Sequence, residues 1–222
     1  MRRKELLVTG QVYHVFNRSI ADFRIFNGDS EFLRMIQLLR YYQIENELKF
    51  SNFIELEKVQ VKGFNSFFDI ISKDRQQLVQ IISYCLMPTH FHLILKQLLD
   101  NGISLYLRNI QNSYSHYFNI QHKRKGPLCE GKYKNVLVKG DEQLLHLTRY
   151  VHLNPVTAFL VKKPEDWGWS SYNEYVSGNI KTGGVCKFDD ILDIRQAQYR
   201  KFVNNQISYQ QELARIKKLL FD

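Results

Sequence analysis

The hydrophobic positions of the chain change period several times, and each change marks an element. Gln11-Val12-Tyr13-His14-Val15-Phe16 is β-branched and aromatic and predicts a first strand. Asn27-Gly28-Asp29-Ser30 has turn chemistry and a helix cap. Beyond it Phe32, Met35, Ile36, Leu38, Leu39 and Tyr42 recur at helical spacing. Residues 44–77, which include Lys62-Gly63, follow no clear period and are expected to form an insertion or lid. Val79 to Met87 reads as a buried strand, Pro88-Thr89 breaks it, and His90 to Lys96 reads as the next, so the two predict an antiparallel pair. Ile103, Leu107, Ile110, Tyr114, Tyr117 and Phe118 mark an amphipathic helix over 103–122, which a basic loop, Lys123 to Pro127, ends.

Tyr133 to Val138 predicts a further strand or extended segment. Gly140-Asp141 then supplies a turn and an N-cap, with Glu142 in the first turn of a helix whose face carries Leu144, Leu147 and Val151. That helix is expected to stop near Asn154, because Pro155 disfavours helical geometry in the residue before it. The tail over 164–222 holds Trp167, Trp169 and Tyr172 and then two short helices. The order of elements predicts an α+β fold, one antiparallel sheet with helices packed on it, and a helical C-terminal tail. We read residues 1–160 as the main domain, with the insertion around 44–77, and 161–222 as a helical extension packed on it. No internal repeat or low-complexity tract is present.

Composition narrows the partners. The 222 residues are 44% hydrophobic, enough for a sizeable core. Aromatics make up 14%, which serves a core or the stacking of nucleobases. The formal net charge of +9 points toward a polyanion without requiring one. The three cysteines, Cys85, Cys129 and Cys186, form no CxxC and are odd in number, which argues against a disulfide framework or a thiolate zinc site and suits a reducing cytoplasm. Met1 to Val8 is basic but lacks the apolar run of a signal peptide, and no stretch approaches the roughly 18 apolar residues of a membrane span. A cytoplasmic protein without a membrane partner is expected.

Two short patterns carry chemistry. On a strand His90 and His92 share a face, so both imidazoles can reach one ion while Phe91 faces the opposite layer. Alone, such a pair is more often incidental. In Tyr150-Val151-His152-Leu153-Asn154-Pro155, a helix brings Tyr150 and Asn154 one turn apart on one side, with His146 a turn earlier. Alone, this is equally a half-buried tyrosine and an asparagine at a helix end.

Together with their surroundings these patterns resemble the HUH (His-hydrophobic-His) single-tyrosine transposases, in particular the REP-associated tyrosine transposases and their insertion-sequence relatives. The resemblance runs through Tyr13-His14-Val15-Phe16-Asn17-Arg18, Met87-Pro88-Thr89-His90-Phe91-His92-Leu93 and Tyr117-Phe118-Asn119. It continues through Gly126 to Lys134, Tyr150 to Val156 and Trp169-Ser170-Ser171-Tyr172, and covers most of residues 11–175. The chain departs from the pattern at Cys129, where the family usually has Trp, at Lys132, where it has Arg, and in the length of 44–77.

The resemblance implies a ferredoxin-like or RRM-like nuclease core. It implies that His90, His92 and the amide oxygen of Asn154 hold a divalent metal, Mg²⁺ or Mn²⁺ by analogy, and that Tyr150 is the nucleophile. The product is a 5′-phosphotyrosine and a free 3′-OH, from which strands are rejoined. The substrate is single-stranded DNA beside a hairpin or palindrome, and the enzyme works as a monomer or homodimer. Rival functions are a domesticated hairpin-binding protein, a tyrosine-dependent replication initiator or relaxase, and a hydrolase that uses the His pair alone.

Arg18, Lys123, Arg124, Lys125, Lys132, Lys134 and Lys139 are expected to contact DNA, although charge runs usually form solvated loops. Tyr133 is read as either a stacking platform for a base or core filling. Elsewhere we expect bland roles: His14 structural, His116 and His122 facing solvent, Trp167 and Trp169 clamping the tail, and Cys85 an inert apolar group.

Overall fold

Pairing of the strands decides which of the alternating residues meet. In the computed structural model, which describes residues 6–177 and 184–221, four strands form: β1 (Val12–Arg18), β2 (Val79–Met87), β3 (His90–Gln97) and β4 (Lys134–Leu137). Residues 1–5 of the basic N-terminus lie outside the described residues. The sheet order is β2-β3-β1-β4 and every neighbouring pair is antiparallel. Helix α1 (Asp29–Tyr41) follows β1, and α5 (Gly102–Gln121) joins β3 to β4. This is the ferredoxin-like βαββαβ arrangement, the α+β architecture expected.

The two faces of the sheet feed two cores. Tyr13, Val15, Phe91, Leu93 and Leu95 point toward α1 and α5. Ile94, Cys85 and Met87 point the other way, toward α6 (Asp141–Thr157) and the tail. The register of β2 against β3 shifts between Ile81 and Ser83. The irregularity changes the phase of β2, so Val79 and Ile81 share a core with Tyr84 and Leu86 beyond it. All nine residues of β2 are buried between the layers, which is why its sequence is apolar at all but Gln80 and Ser83 rather than alternating. Gly102 opens α5 hard against β2's lead-in: a Cβ there would stand 2.3 Å from the Leu78 carbonyl oxygen.

The irregular region 44–77 folds as three short helices, α2 (Phe50–Ile54), α3 (Glu57–Lys62) and α4 (Phe64–Ile71). They extend the first core through Phe50, Phe53, Val59 and Phe68, and the three phenylalanines gather around Tyr41. Arg40 ties the group down through Asn65 Oδ1 at 2.7 Å and the Asp69 carboxylate. The region is therefore a packed helical insertion on α1.

One expectation needs correction. Helix α6 continues past Asn154 to Thr157 with Pro155 inside it. Proline removes the N–H that would reach the Val151 carbonyl. The side-chain Nδ2 of Asn154 leans back to the Tyr150 carbonyl at 2.9 Å and to Val151 O at 3.5 Å, offsetting that loss. Among the described residues the tail holds the two expected α-helices, α8 (Gln196–Asn204) and α9 (Ile207–Phe221), and one more that begins at Tyr172 itself, α7 (Tyr172–Val176). Tyr172, Tyr175, Tyr199 and Val203 complete the second core against Val151 and Leu144.

Between α6 and α7 the chain passes along the outer edge of β2. Leu86 N–H donates to Trp169 O at 2.9 Å, and Ser171 N–H donates to Tyr84 O at 3.0 Å. The Trp169 ring stacks on Phe32, and Trp167 Nε1 donates to Leu86 O, the clamping role expected of both.

Candidate active site

The register of β1 against β3 sets Arg18 opposite His90 and Phe16 opposite His92. On β4, Lys134 stands opposite Phe16. All of these side chains share one face of the sheet. The same face receives α6, which carries Tyr150 and Asn154 over the His pair. The result is a cleft of about 470 Å³ lined by Phe16, Asn17, Arg18, His90, His92, Glu130, Lys132, Lys134, Tyr150 and Asn154. His90, His92, Tyr150 and Asn154, singled out on separate motifs, thus meet in one place on one chain.

Ring geometry is compact. His90 and His92 lie with centroids 5.1 Å apart at 88°, and Tyr150 stands edge-on to His92 at 5.7 Å. Both imidazoles have one nitrogen engaged. His90 Nδ1 lies 3.1 Å from Thr89 Oγ1, and His92 Nδ1 lies 3.0 Å from His14 Nε2. Nε2 of each is the nitrogen left toward the cleft. Burial, aided by Arg18, pushes His90 down to about 4, and burial with His14 and His90 alongside pushes His92 down to about 3. Both are neutral at physiological pH, as a metal ligand must be.

Asn154 contributes through its amide. With Nδ2 committed to helix carbonyls, Oδ1 is the polar atom left to serve as a ligand. Among the described residues no group of three or more His, Cys, Asp or Glu gathers to hold an ion. Two imidazole nitrogens and one amide oxygen are therefore the donor set on offer, and they fit a divalent cation of intermediate softness. All three are uncharged, so a bound cation would keep its full charge.

Tyr150 is 49% exposed, open enough to meet a substrate. Burial raises its pKa, with the Asn154 amide opposing the shift by hydrogen bonding. The phenol is thus protonated at neutral pH. Arg18, Lys132 and Lys134 give the cleft three cations against the carboxylates of Glu130, in its lining, and Asp22, which pairs with Arg18 at 3.6 Å. Such a surface suits a phosphodiester.

The other basic residues are placed differently. Lys123 and Lys125 are exposed on the loop after α5. Arg124 is held within that loop: it donates to Asn119 Oδ1 at 3.1 Å and Pro127 O at 3.3 Å and lies over Phe23 and Phe118. Tyr133 takes the second of its two readings. It is only 8% exposed, packs in the first core and bonds Ser104 through its hydroxyl at 3.2 Å, so its ring is core filling rather than a base platform. His146 turns away from the cleft to Arg149 and Phe202. His122 pairs with the Glu31 carboxylate instead of facing only solvent. His116 is exposed and Cys85 buried, as expected.

Sequence reasoning missed Asn17 and Glu130 as cleft residues, and it gave His14 no part in the site. Asn17 and Glu130 stood inside the motifs quoted for the resemblance, a signal that could have flagged them. His14 stood in the same first motif, but its contact with His92, 78 residues on, depends on strand register, which no local pattern carries.

No protein-family model matches the chain. A curated protein of Haemophilus influenzae named a REP-associated tyrosine transposase is 23% identical over 112 residues, which cover 46% of this chain. The match spans 63% of that relative's length. A solved structure of a REP-associated tyrosine transposase bound to a REP hairpin aligns with a TM-score of 0.54 and 14% identity, covering 87% of this chain and 94% of that one. The fold is thus that of the neighbour, and the chain resembles in sequence and in architecture the group to which its motifs pointed.

Proposed function

We propose that this chain is a REP-associated type of tyrosine transposase, which cleaves and rejoins single-stranded DNA beside a hairpin through a covalent bond to Tyr150. The observation that carries the reading is the convergence of Tyr150, His90, His92 and Asn154 in one cation-lined cleft of one chain. The relatives' names agree with it. Because Tyr150 meets the His pair within one chain, its ring 5.7 Å from His92, a monomer that cuts in cis is the arrangement we favour. No helix among the described residues is long and apolar enough to cross a membrane, and we place the activity in the cytoplasm with DNA.

The chemistry follows from what each group can do. Arg18, Lys132 and Lys134 draw the DNA backbone into the cleft and offset its charge. His90, His92 and the Asn154 amide oxygen would hold Mg²⁺ or Mn²⁺. When bound, the ion supplies positive charge against the non-bridging phosphate oxygens and helps align the scissile bond. The Tyr150 phenolic oxygen attacks phosphorus and loses its proton, the P–O3′ bond breaks, and the departing 3′ oxygen takes up a proton. The strand is left as a 5′-phosphotyrosine and a 3′-OH. Attack by a 3′-OH on that ester reverses the step and joins strands without an external energy source.

The test is a gel assay with purified full-length protein, Mn²⁺ or Mg²⁺, and labelled single-stranded hairpins from the flanks of its own gene. We expect a denaturation-resistant protein–DNA adduct that needs the metal and disappears in Tyr150→Phe. Cleavage that survives Tyr150→Phe would overturn the reading in favour of a hydrolase. Hairpin binding without adduct on any flanking sequence would overturn it in favour of a DNA-binding protein that has lost its chemistry.

A further inference from the structure

We infer that His14 is a positioning residue that fixes the tautomer of His92 and so presents Nε2 of His92 for metal binding. This rests on the metal-site reading above. The two rings lie on adjacent strands, diagonal in the β1–β3 register, with His14 opposite Ile94 and His92 opposite Phe16. They overlap at 5.2 Å with 20° between planes, and His14 Nε2 lies 3.0 Å from His92 Nδ1. Both residues are buried, His14 at 9% and His92 at 7% exposure, so water does not readily replace the contact.

A neutral imidazole carries one N–H and one lone pair. If His14 Nε2 donated the hydrogen bond, His92 Nδ1 would accept it and His92 Nε2 would carry the hydrogen, unable to bind a cation. The ligand role therefore requires the opposite sense. His92 Nδ1–H donates, His14 Nε2 accepts, His14 carries its own hydrogen on Nδ1, and the His92 Nε2 lone pair faces the cleft. Ligating imidazoles commonly depend on such an acceptor behind them, and its loss typically costs about 10–100-fold in metal affinity. Thr89 Oγ1 stands in the same relation to His90 Nδ1 at 3.1 Å. The two ligands thus have separate supports, a hydroxyl on the β2–β3 turn for one and an imidazole on β1 for the other.

The experiment uses the DNA-free full-length chain and Mn²⁺ as the probe, with free Mn²⁺ read by electron paramagnetic resonance. His14→Phe keeps a ring but removes the acceptor, and His14→Gln returns an acceptor oxygen. We expect about a 10–100-fold weaker Mn²⁺ affinity for His14→Phe, substantial recovery for His14→Gln, and metal-free hairpin binding unchanged in both. Adduct formation by His14→Phe should return at high Mn²⁺. Independently of any variant, long-range ¹H–¹⁵N spectra of the metal-free protein should show His92 protonated at Nδ1. A hydrogen on His92 Nε2, or a folded His14→Phe that binds Mn²⁺ like the parent, would overturn the inference while leaving the Tyr150 reading intact. If the parent forms its adduct without any metal, the metal site itself fails, and this inference fails with it.

Discussion

Tyr150 stands edge-on to His92, the rings 5.7 Å apart at 83°, and a single chain carries both. The contact separates chemistry from binding. Tyr150→Phe removes only the hydroxyl from a half-exposed ring. It is expected to abolish adduct formation while changing hairpin affinity less than about threefold and the melting temperature by no more than a degree or two. Fluorescence anisotropy beside the gel assay checks this. A large affinity loss would mean the hydroxyl serves recognition rather than attack.

Metal should stabilise the fold through the same cleft. An ion that binds only the native state raises stability by RT ln(1 + [L]/Kd). Thermal unfolding in saturating Mn²⁺ is expected to shift upward in the parent chain and not in His90→Ala, and chelation should reverse the shift. Equal shifts in both would place the ion elsewhere.

The cations divide by job. Lys132 and Lys134 line the cleft, so Lys132→Ala and Lys134→Ala should each weaken hairpin binding and flatten the log–log salt dependence by about 0.7–0.9. Arg124 is bonded to Asn119 and Pro127 and lies over Phe118. Arg124→Ala is therefore expected to lower the melting temperature more than Lys123→Ala or Lys125→Ala. Binding titrations across a salt series, with melting curves for each variant, separate the two roles.

A buried network behind α6 gives the protein an acid limit. His152 is fully buried between Ser171 Oγ at 2.7 Å and Tyr199 Oη at 2.6 Å, and burial lowers its pKa to about 3. Unfolding frees it to take a proton near ~6.5. Its folded value lies below its unfolded one, so the stability it contributes is full above about pH 6.5 and is lost as pH falls toward 3. Melting temperatures of the metal-free protein should decline through that window, less steeply in His152→Gln. A parallel decline in both would put the cause in other groups.

Ser171→Ala tests how the tail is docked. Ser171 Oγ accepts from Tyr84 N–H at 2.9 Å and contacts His152 and Ser83. Its removal strands buried polar groups, and a loss of about 1–3 kcal/mol is expected from denaturant unfolding.

Much of the architecture was legible because it rests on local periodicity. The paired strands around Pro88-Thr89, the helix from Ile103 to Phe118 and the helix bearing Tyr150 each announce themselves within a short window. The His pair and the Tyr/Asn pair were readable for the same reason, being i, i+2 and i, i+4 relations. What was not legible depends on contacts far apart in the chain. His14 reaches His92 only through strand register. Tyr133 is decided by what packs over it. The helix past Pro155 persists because a neighbouring side chain serves the carbonyl that proline leaves, and propensity alone argues for a stop. Residues 44–77 hid their helices because each is too short to show a period and draws its stability from packing, α2 and α4 on Tyr41 and α3 on those two helices.

The strip from Trp169 to Ser171 does more than hold the tail. β2 is buried along its whole length and apolar at all but Gln80 and Ser83, and a bare edge on such a strand is a template for pairing with another molecule. Here the chain's own Leu86–Trp169 and Tyr84–Ser171 bonds occupy that edge. A break that releases the strip, by truncation before Trp167 or by loss of the Trp169–Phe32 stack, would expose a sticky seam. Such variants would then fail by aggregating, at a rate set by protein concentration, before they failed by unfolding.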